Sequence, residues 1–97
     1  MFVVLLKYLK PIEVVNEWVV SHREFLDTGY QSGLLLCSGP QNPRTGGVIL
    51  SRAATREKLQ DFFKNDPFQK EGVAEYQIIE FEPVKFAEDF SKCIPVK

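Results

Sequence analysis

"LLLCSGPQNPRTGGVIL", residues 34–50, joins two apolar runs through a long stretch of turn-forming residues. The runs predict two strands, and a hairpin can reverse the chain with as few as about two residues. A connection longer than its turn requires is where proteins commonly carry binding groups. Arg44 lies among two prolines and two glycines here, and its planar guanidinium suits a carboxylate or phosphate.

Outward from this stretch, the sequence predicts further strands and two helices. The first apolar run is typical of a central strand, and Pro11 suits the first turn of a helix. Apolar residues then recur at helical spacing until Gly33, a good helix stop. Thr55 can cap a second helix, which Pro67 would end. The predicted strands are 2–8, 34–37 with its flanks, 47–51 and 74–84, and the predicted helices are 12–31 and 56–65.

The order β-α-β-β-α-β predicts an α+β, ferredoxin-like fold. Two split βαβ units give an antiparallel four-stranded sheet with both helices on one face. The other face of such a sheet carries apolar residues without a helix over them. We expect a second copy of the chain to cover this face, so that the protein is a homodimer through the sheet.

Composition and charge limit the classes of function. The chain has 97 residues, 44% hydrophobic and 26% charged, with net charge −1. We interpret residues 1–97 as one domain and expect neither nucleic acid nor a membrane as partner, because the basic residues are not clustered. The apolar N terminus lacks the features of a signal peptide, and a cytoplasmic location is expected.

Two cysteines, Cys37 and Cys93, lie far apart without a second ligand at zinc-binding spacing. We expect two reduced thiols and no metal site. Metal-dependent oxygen chemistry would also need more ligands than one histidine and scattered acids. In the tail, 85–97, the spacing of Phe86, Phe90 and Ile94 is compatible with a short helix.

His22, the only histidine, falls on the apolar stripe of the first predicted helix. The stripe follows the pattern i, i+3, i+4, i+7 and i+11 at Val15, Trp18, Val19, His22 and Leu26. Asp66 occupies the corresponding place after Leu59, Phe62 and Phe63. Because buried polar groups are costly without partners, each could pair with the other. Such a pair tunes a histidine for proton transfer.

Each residue also has a structural interpretation. A lone histidine on an apolar face is commonly hydrogen-bonded to backbone in the core. Asp66, which precedes Pro67, can simply form an Asx turn at a helix end. In the predicted topology Ser38, the loop 39–47 and Asp66 share one edge of the sheet. His22 lies about eleven residues into its helix, so its distance from that edge is left open.

Three segments resemble the YCII-related family: KYLKP at 7–11, HREFLDTGYQSGLLLCSGPQNPRTGGVIL at 22–50 and NDPFQKEGVAEYQIIEFEPVK at 65–85. The resemblance covers essentially residues 2–85. It implies a dimeric α/β barrel, similar to muconolactone isomerases, with a histidine–aspartate site and no organic cofactor. Carried onto this sequence, the catalytic pair is His22 and Asp66. The family's loop signature stands at Ser38, Gly39, Pro40 and Arg44.

Two functional hypotheses follow. In the first, the chain is a small enzyme in which His22, oriented by Asp66, transfers protons on a small anionic metabolite held by Arg44. Isomerase, lyase or hydrolase-like chemistry would fit such a site. In the second, the chain is a non-catalytic ligand-binding or structural dimer, in which the pair only satisfies buried polarity.

Overall fold

The computed structural model describes residues 1–94. Its elements are β1 (Phe2–Tyr8), α1 (Ile12–Gln31), β2 (Leu35–Pro40), β3 (Gly46–Ser51), α2 (Arg56–Phe63), α3 (Pro67–Lys70), β4 (Ala74–Glu80) and a 3₁₀ helix at Glu88–Cys93. Residues 95–97, the end of the predicted tail helix, lie outside the described residues.

The four strands form one antiparallel sheet in the order β2-β3-β1-β4. The first and last strands of the chain's sheet pair directly, with Leu6 opposite Tyr76. β1 also pairs with β3, where Leu6 lies opposite Gly47. The predicted α+β, ferredoxin-like arrangement is therefore confirmed, while the single domain over 1–97 and the dimer stay predictions.

The core lies between the sheet and the helices. Alternate residues of β1 are buried, and they pack with the apolar stripes of α1 and α2. The largest fully buried apolar side chains are Phe2, Phe63, Phe68, Ile49, Leu59, Val4, Val15 and Val73. Both predicted helical stripes thus face the sheet, which brings His22 and Asp66 into the interior.

The hairpin between β2 and β3 is shorter than its composition indicates. β2 continues through Pro40 and β3 begins at Gly46, so only residues 41–45 connect them. Ser38, Gly39 and Pro40 pair with β3 despite their low strand propensity. β2 is an edge strand. Proline is tolerated there because the N–H group that it lacks would face solvent and not a neighbouring strand.

Two other predicted boundaries are wrong. The last strand ends at Glu80 rather than at 84 because β1, its partner, begins at Phe2; the amide of Phe81 makes a final bond to the Met1 carbonyl at 2.9 Å. The second helix ends at Phe63 rather than at 65, and Pro67 starts α3 instead of only stopping a helix. Proline is well accommodated at a first helical position.

The sheet face away from the helices exposes apolar side chains. Val48 is 37% exposed, and Ile79 and Phe81 are each 40% exposed. Within residues 1–94, none of the helices combines the length and apolar character that a membrane crossing demands.

Candidate functional site

His22 lies midway along α1 on the face that meets α3. Only 8% of the surface of His22 is exposed. The imidazole stacks on the ring of Phe68, with centroids 3.9 Å apart and planes 3° from parallel. This stacking fixes the plane of the imidazole, because a tilt in either direction would collide with the phenyl ring. The helical stripe thus delivers His22 to α3, which the sequence alone left open.

Asp66 occupies the junction between α2 and α3 and is fully buried. It is the N-cap of α3, and its Oδ1 accepts a hydrogen bond from the amide of Phe68 at 3.0 Å. The Asx turn of the structural interpretation is therefore present, although it begins α3 and does not end α2. It does not exclude the other, because the same carboxylate also meets His22. The capping hydrogen bond holds the Asp66 carboxylate next to the imidazole of His22 on α1.

The imidazole and the carboxylate form a close pair. His22 Nδ1 lies 2.9 Å from Oδ1 and 3.0 Å from Oδ2 of Asp66. The hydroxyl of Tyr76 donates to Oδ2. An ionised carboxylate only accepts hydrogen bonds, so it matches the three donors that converge on it. In a neutral imidazole that donates to this carboxylate, Nδ1 carries the proton and Nε2 keeps a lone pair.

Nothing else in the described part of the chain is hydrogen-bonded to the His22 ring. Nε2 is therefore available to whatever occupies the space beside the ring. A neutral imidazole with Nδ1 held by a buried carboxylate is the arrangement of a general base, and the carboxylate stabilises the imidazolium that forms. The geometry needed for proton transfer is present.

Tyr76 is a titratable group whose hydroxyl is in direct contact with Asp66. Burial raises the pKa of its hydroxyl well above the ordinary value of 10.0, and the charge of Asp66 and the hydrogen bond to it raise it further. Tyr76 therefore remains a donor toward Asp66 under physiological conditions. Its phenol ring is packed against Phe63, with centroids 5.0 Å apart.

A cavity of about 160 Å³ borders the imidazole. Its walls include all four residues at which the family's loop signature stands: Ser38, Gly39, Pro40 and Arg44. His22 forms a wall that α1 contributes, while Asp66 does not line the space. The predicted residues are therefore brought together at one site, although their functional roles stay predictions.

The loop that carries Arg44 is anchored to the sheet at its base. The amide of Gln41 bonds to the Gly46 carbonyl at 2.8 Å, and the Tyr8 amide bonds to the Thr45 carbonyl at 3.1 Å. A Cβ on Gly46 would lie 1.8 Å from the carbonyl oxygen of Leu6. Only glycine fits there, so the strands approach closely enough to fix where the loop leaves the sheet.

Four residues of the site were missed by sequence reasoning. Phe68 stacks on His22, Tyr76 bonds to Asp66, and Arg23 and Tyr8 line the cavity. The guanidinium carbon of Arg44 lies 6.0 Å from the centre of the Tyr8 ring. An available signal for Phe68 was its place two residues after Asp66, because the backbone amide at that place is a usual partner of an N-cap side chain. Nothing local marked Tyr76, which comes from a distant strand.

The exposed end of β2 has its own polar contact. The hydroxyls of Tyr30 and Ser38 are hydrogen-bonded to each other. Both cysteines are free, with Cys37 exposed and Cys93 half-buried. Within residues 1–94, no three His, Cys, Asp or Glu side chains are grouped as a metal ion would require.

Comparison with known proteins places this geometry in a context. This chain is similar, with a TM-score of 0.69, to a solved structure of 5-chloro-2-hydroxyhydroquinone dehydrochlorinase (TftG) from Burkholderia phenoliruptrix AC1100. That structure is a complex with 2,5-dihydroxybenzoquinone. The similarity covers 84% of this chain and 94% of that one at 18% identity, and at this identity it shows the fold alone. No curated protein matches the chain. The family model of the YCII-related domain matches residues 1–82, and the chain therefore belongs to the YCII-related family.

Proposed function

We propose that the protein is an enzyme in which His22 acts as a general base and then as a general acid on a small anionic metabolite. One observation carries the proposal: a buried carboxylate holds Nδ1 of an imidazole that borders a cavity. A histidine present only to satisfy buried polarity would have no reason to face such a space. No organic cofactor or metal is part of this proposal.

The proposed step transfers a proton and returns it. Nε2 of His22 takes a proton from a carbon or oxygen of the substrate, and the electron pair of the broken bond moves into the substrate. Asp66 stabilises the resulting imidazolium, which then gives the proton to another atom of the same molecule. Isomerisation and lactone chemistry use this whole step, whereas in elimination of a halide the electron pair expels the halide ion and the imidazolium releases its proton to solvent.

The wall that β2 and its loop contribute would bind the substrate. Arg44 is placed to meet a carboxylate or phenolate, and Ser38, Gly39 and Pro40 would shape the space around the rest of the molecule. A cavity of about 160 Å³ is small, since pockets for drug-sized ligands start at roughly 300 Å³. We therefore expect a ligand of about one ring. The TftG structure holds such a molecule, 2,5-dihydroxybenzoquinone, which supports the size and the chemistry proposed.

Binding is tested by isothermal titration with benzoate and with its uncharged counterpart, benzyl alcohol. Benzoate should bind and benzyl alcohol should bind at least about tenfold more weakly, because a hydrogen bond to a charged group contributes about 1.5–3 kcal/mol. Arg44→Gln should remove this preference. Lys58→Gln, which removes an exposed cation away from the cavity, should not. Equal binding of both compounds would contradict the anionic specificity.

Catalysis is tested by hydrogen–deuterium exchange, which reports proton transfer without a known product. The ring hydrogens of 2,5-dihydroxybenzoquinone exchange through a keto tautomer, so their proton NMR signals disappear in D₂O. The protein should accelerate this exchange, and His22→Gln should abolish the acceleration while circular dichroism shows a folded chain. If the wild-type protein binds the quinone without accelerating exchange of it or of other small carbon acids, the non-catalytic alternative is the better description.

We propose in addition that two copies associate through the open sheet face. The support is the apolar surface at Val48, Ile79 and Phe81, which a monomer would leave in water. Ile79→Lys should convert the dimer to a monomer in sedimentation equilibrium. Val20→Lys is the matched control, because Val20 is an exposed apolar residue of α1. A wild-type monomer at all concentrations would contradict the proposal.

A further inference from the structure

Tyr76 contributes to the site from an element that no other site residue uses. It lies on β4 opposite Leu6 of β1, so its side chain is on the helix side of the sheet. There the hydroxyl reaches Oδ2 of Asp66. This is the only hydrogen bond of the Tyr76 side chain within residues 1–94. Any effect of the Tyr76 hydroxyl on His22 must therefore act through the Asp66 carboxylate.

The hydrogen bonds to Asp66 divide evenly between its two oxygens. The Phe68 amide bonds to Oδ1 and the Tyr76 hydroxyl bonds to Oδ2, while His22 Nδ1 lies nearly equidistant from both at 2.9 and 3.0 Å. With the amide alone, the carboxylate could turn about its Cβ–Cγ bond while Oδ1 kept a partner. With both donors, the plane of the carboxylate is fixed from two sides.

A packing role alone would not need the hydroxyl. The ring of Tyr76 contacts Phe63 with centroids 5.0 Å apart, and a phenylalanine could make the same contact. The hydroxyl brings a polar atom into the interior, where it would be costly without an acceptor. Its placement against Asp66 indicates a function for the hydroxyl itself.

We propose that Tyr76 is a positioning residue that holds the Asp66 carboxylate against His22, so that the imidazole keeps its proton on Nδ1 and its lone pair on Nε2 beside the cavity. Tyr76 touches no substrate in this role. Its importance for catalysis rests on the proposed function, whereas its effect on the imidazole does not.

The imidazole can be observed directly, because His22 is the only histidine. In ¹⁵N-labelled wild-type protein, long-range proton–nitrogen correlation should show a protonated Nδ1 and an unprotonated Nε2. In Tyr76→Phe, part of the population should shift to the Nε2–H form, and the Nδ1 proton should exchange faster with solvent. The control is Tyr30→Phe, since Tyr30 bonds to Ser38 and not to Asp66. Unchanged tautomer and exchange in Tyr76→Phe would overturn the proposal.

A second variant covers the case in which Tyr76→Phe does not fold. Site-specific 3-fluorotyrosine at position 76 keeps the ring and the hydroxyl but makes the hydroxyl a stronger donor. Because the two donors share one carboxylate, the Nδ1 proton resonance of His22 should move. A resonance that stays in place would overturn the proposal as well.

The same samples separate this proposal from the proposed function. If the tautomer changes in Tyr76→Phe but wild-type protein accelerates no deuterium exchange, positioning stands and catalysis fails. If wild-type protein accelerates exchange and the tautomer is indifferent to Tyr76, positioning alone is overturned.

Discussion

The two walls of the cavity differ in how they are held. The wall formed by His22 is supported by a buried carboxylate, a buried backbone amide and a partly buried tyrosine hydroxyl. The wall that carries Ser38 and Arg44 is exposed and belongs to an edge strand and its loop. In the proposed function, the pair that transfers the proton is thus held in place by folding, whereas the residues that would recognise the substrate lie at the surface. Changes in the first wall should alter stability and chemistry together, and changes in the second should alter binding alone.

The largest effect should come from Asp66→Ala. It leaves the Phe68 amide, His22 Nδ1 and the Tyr76 hydroxyl without their acceptor, and losing one partner of a buried pair costs about 3–5 kcal/mol. Urea denaturation should show this loss in the free energy of unfolding. Asp61→Ala is the control, because the Asp61–Lys64 pair is exposed and should change stability by less than about 1 kcal/mol. Equal effects of the two substitutions would contradict the claim that the buried pair supports the wall formed by His22.

Gly46→Ala tests the point at which the exposed wall joins the core. The added Cβ would lie 1.8 Å from the Leu6 carbonyl oxygen. Since this neighbour is backbone, β1 and β3 must separate, at a cost of about 1–3 kcal/mol.

The matched control for that change is Gly39→Ala, where an added Cβ meets nothing within 4 Å. Its free energy of unfolding should stay within about 0.5 kcal/mol of wild type. If both alanines destabilise the protein equally, the exposed wall is coupled to the core along its whole length.

Tyr76→Phe should alter how stability depends on pH. In the unfolded chain Tyr76 ionises near its ordinary pKa of 10.0, while burial and Asp66 raise the pKa in the folded chain. Above pH 10 the unfolded state therefore binds fewer protons, and stability falls as pH rises. The slope from this one group approaches about 1.4 kcal/mol per pH unit.

The difference in unfolding free energy between wild type and Tyr76→Phe isolates this contribution, because the other titrating groups are common to both. That difference should be constant from pH 7 to 9 and should shrink as pH rises above 10. A constant difference through pH 11 would show that burial and Asp66 do not raise the pKa of Tyr76 in the folded chain.

The sequence was most informative about the wall formed by His22. Helical spacing placed His22 and Asp66 on apolar stripes, and such stripes face the sheet. The pairing of the two residues could therefore be suggested from the sequence, although the distance between them was left open. Tyr76 could not be found this way, because its contact with Asp66 depends on strand register. Likewise, propensity argued against Ser38, Gly39 and Pro40 as strand residues. Pairing with β3 outweighs that propensity at the sheet edge.

Arg44→Gln should have the smallest effect on the unliganded protein. Arg44 is exposed, and its approach to the Tyr8 ring at 6.0 Å contributes about 0.5–1 kcal/mol at most for an exposed site. Unfolding in urea should therefore be almost unchanged. With benzoate present, the free energies of unfolding of wild type and Arg44→Gln should differ. A ligand that binds the folded state stabilises it by an amount that grows with the ratio of ligand concentration to Kd. Wild type should gain stability as benzoate is added, and Arg44→Gln should gain less. An equal gain would place the anion elsewhere and would leave the exposed wall without a role in recognition.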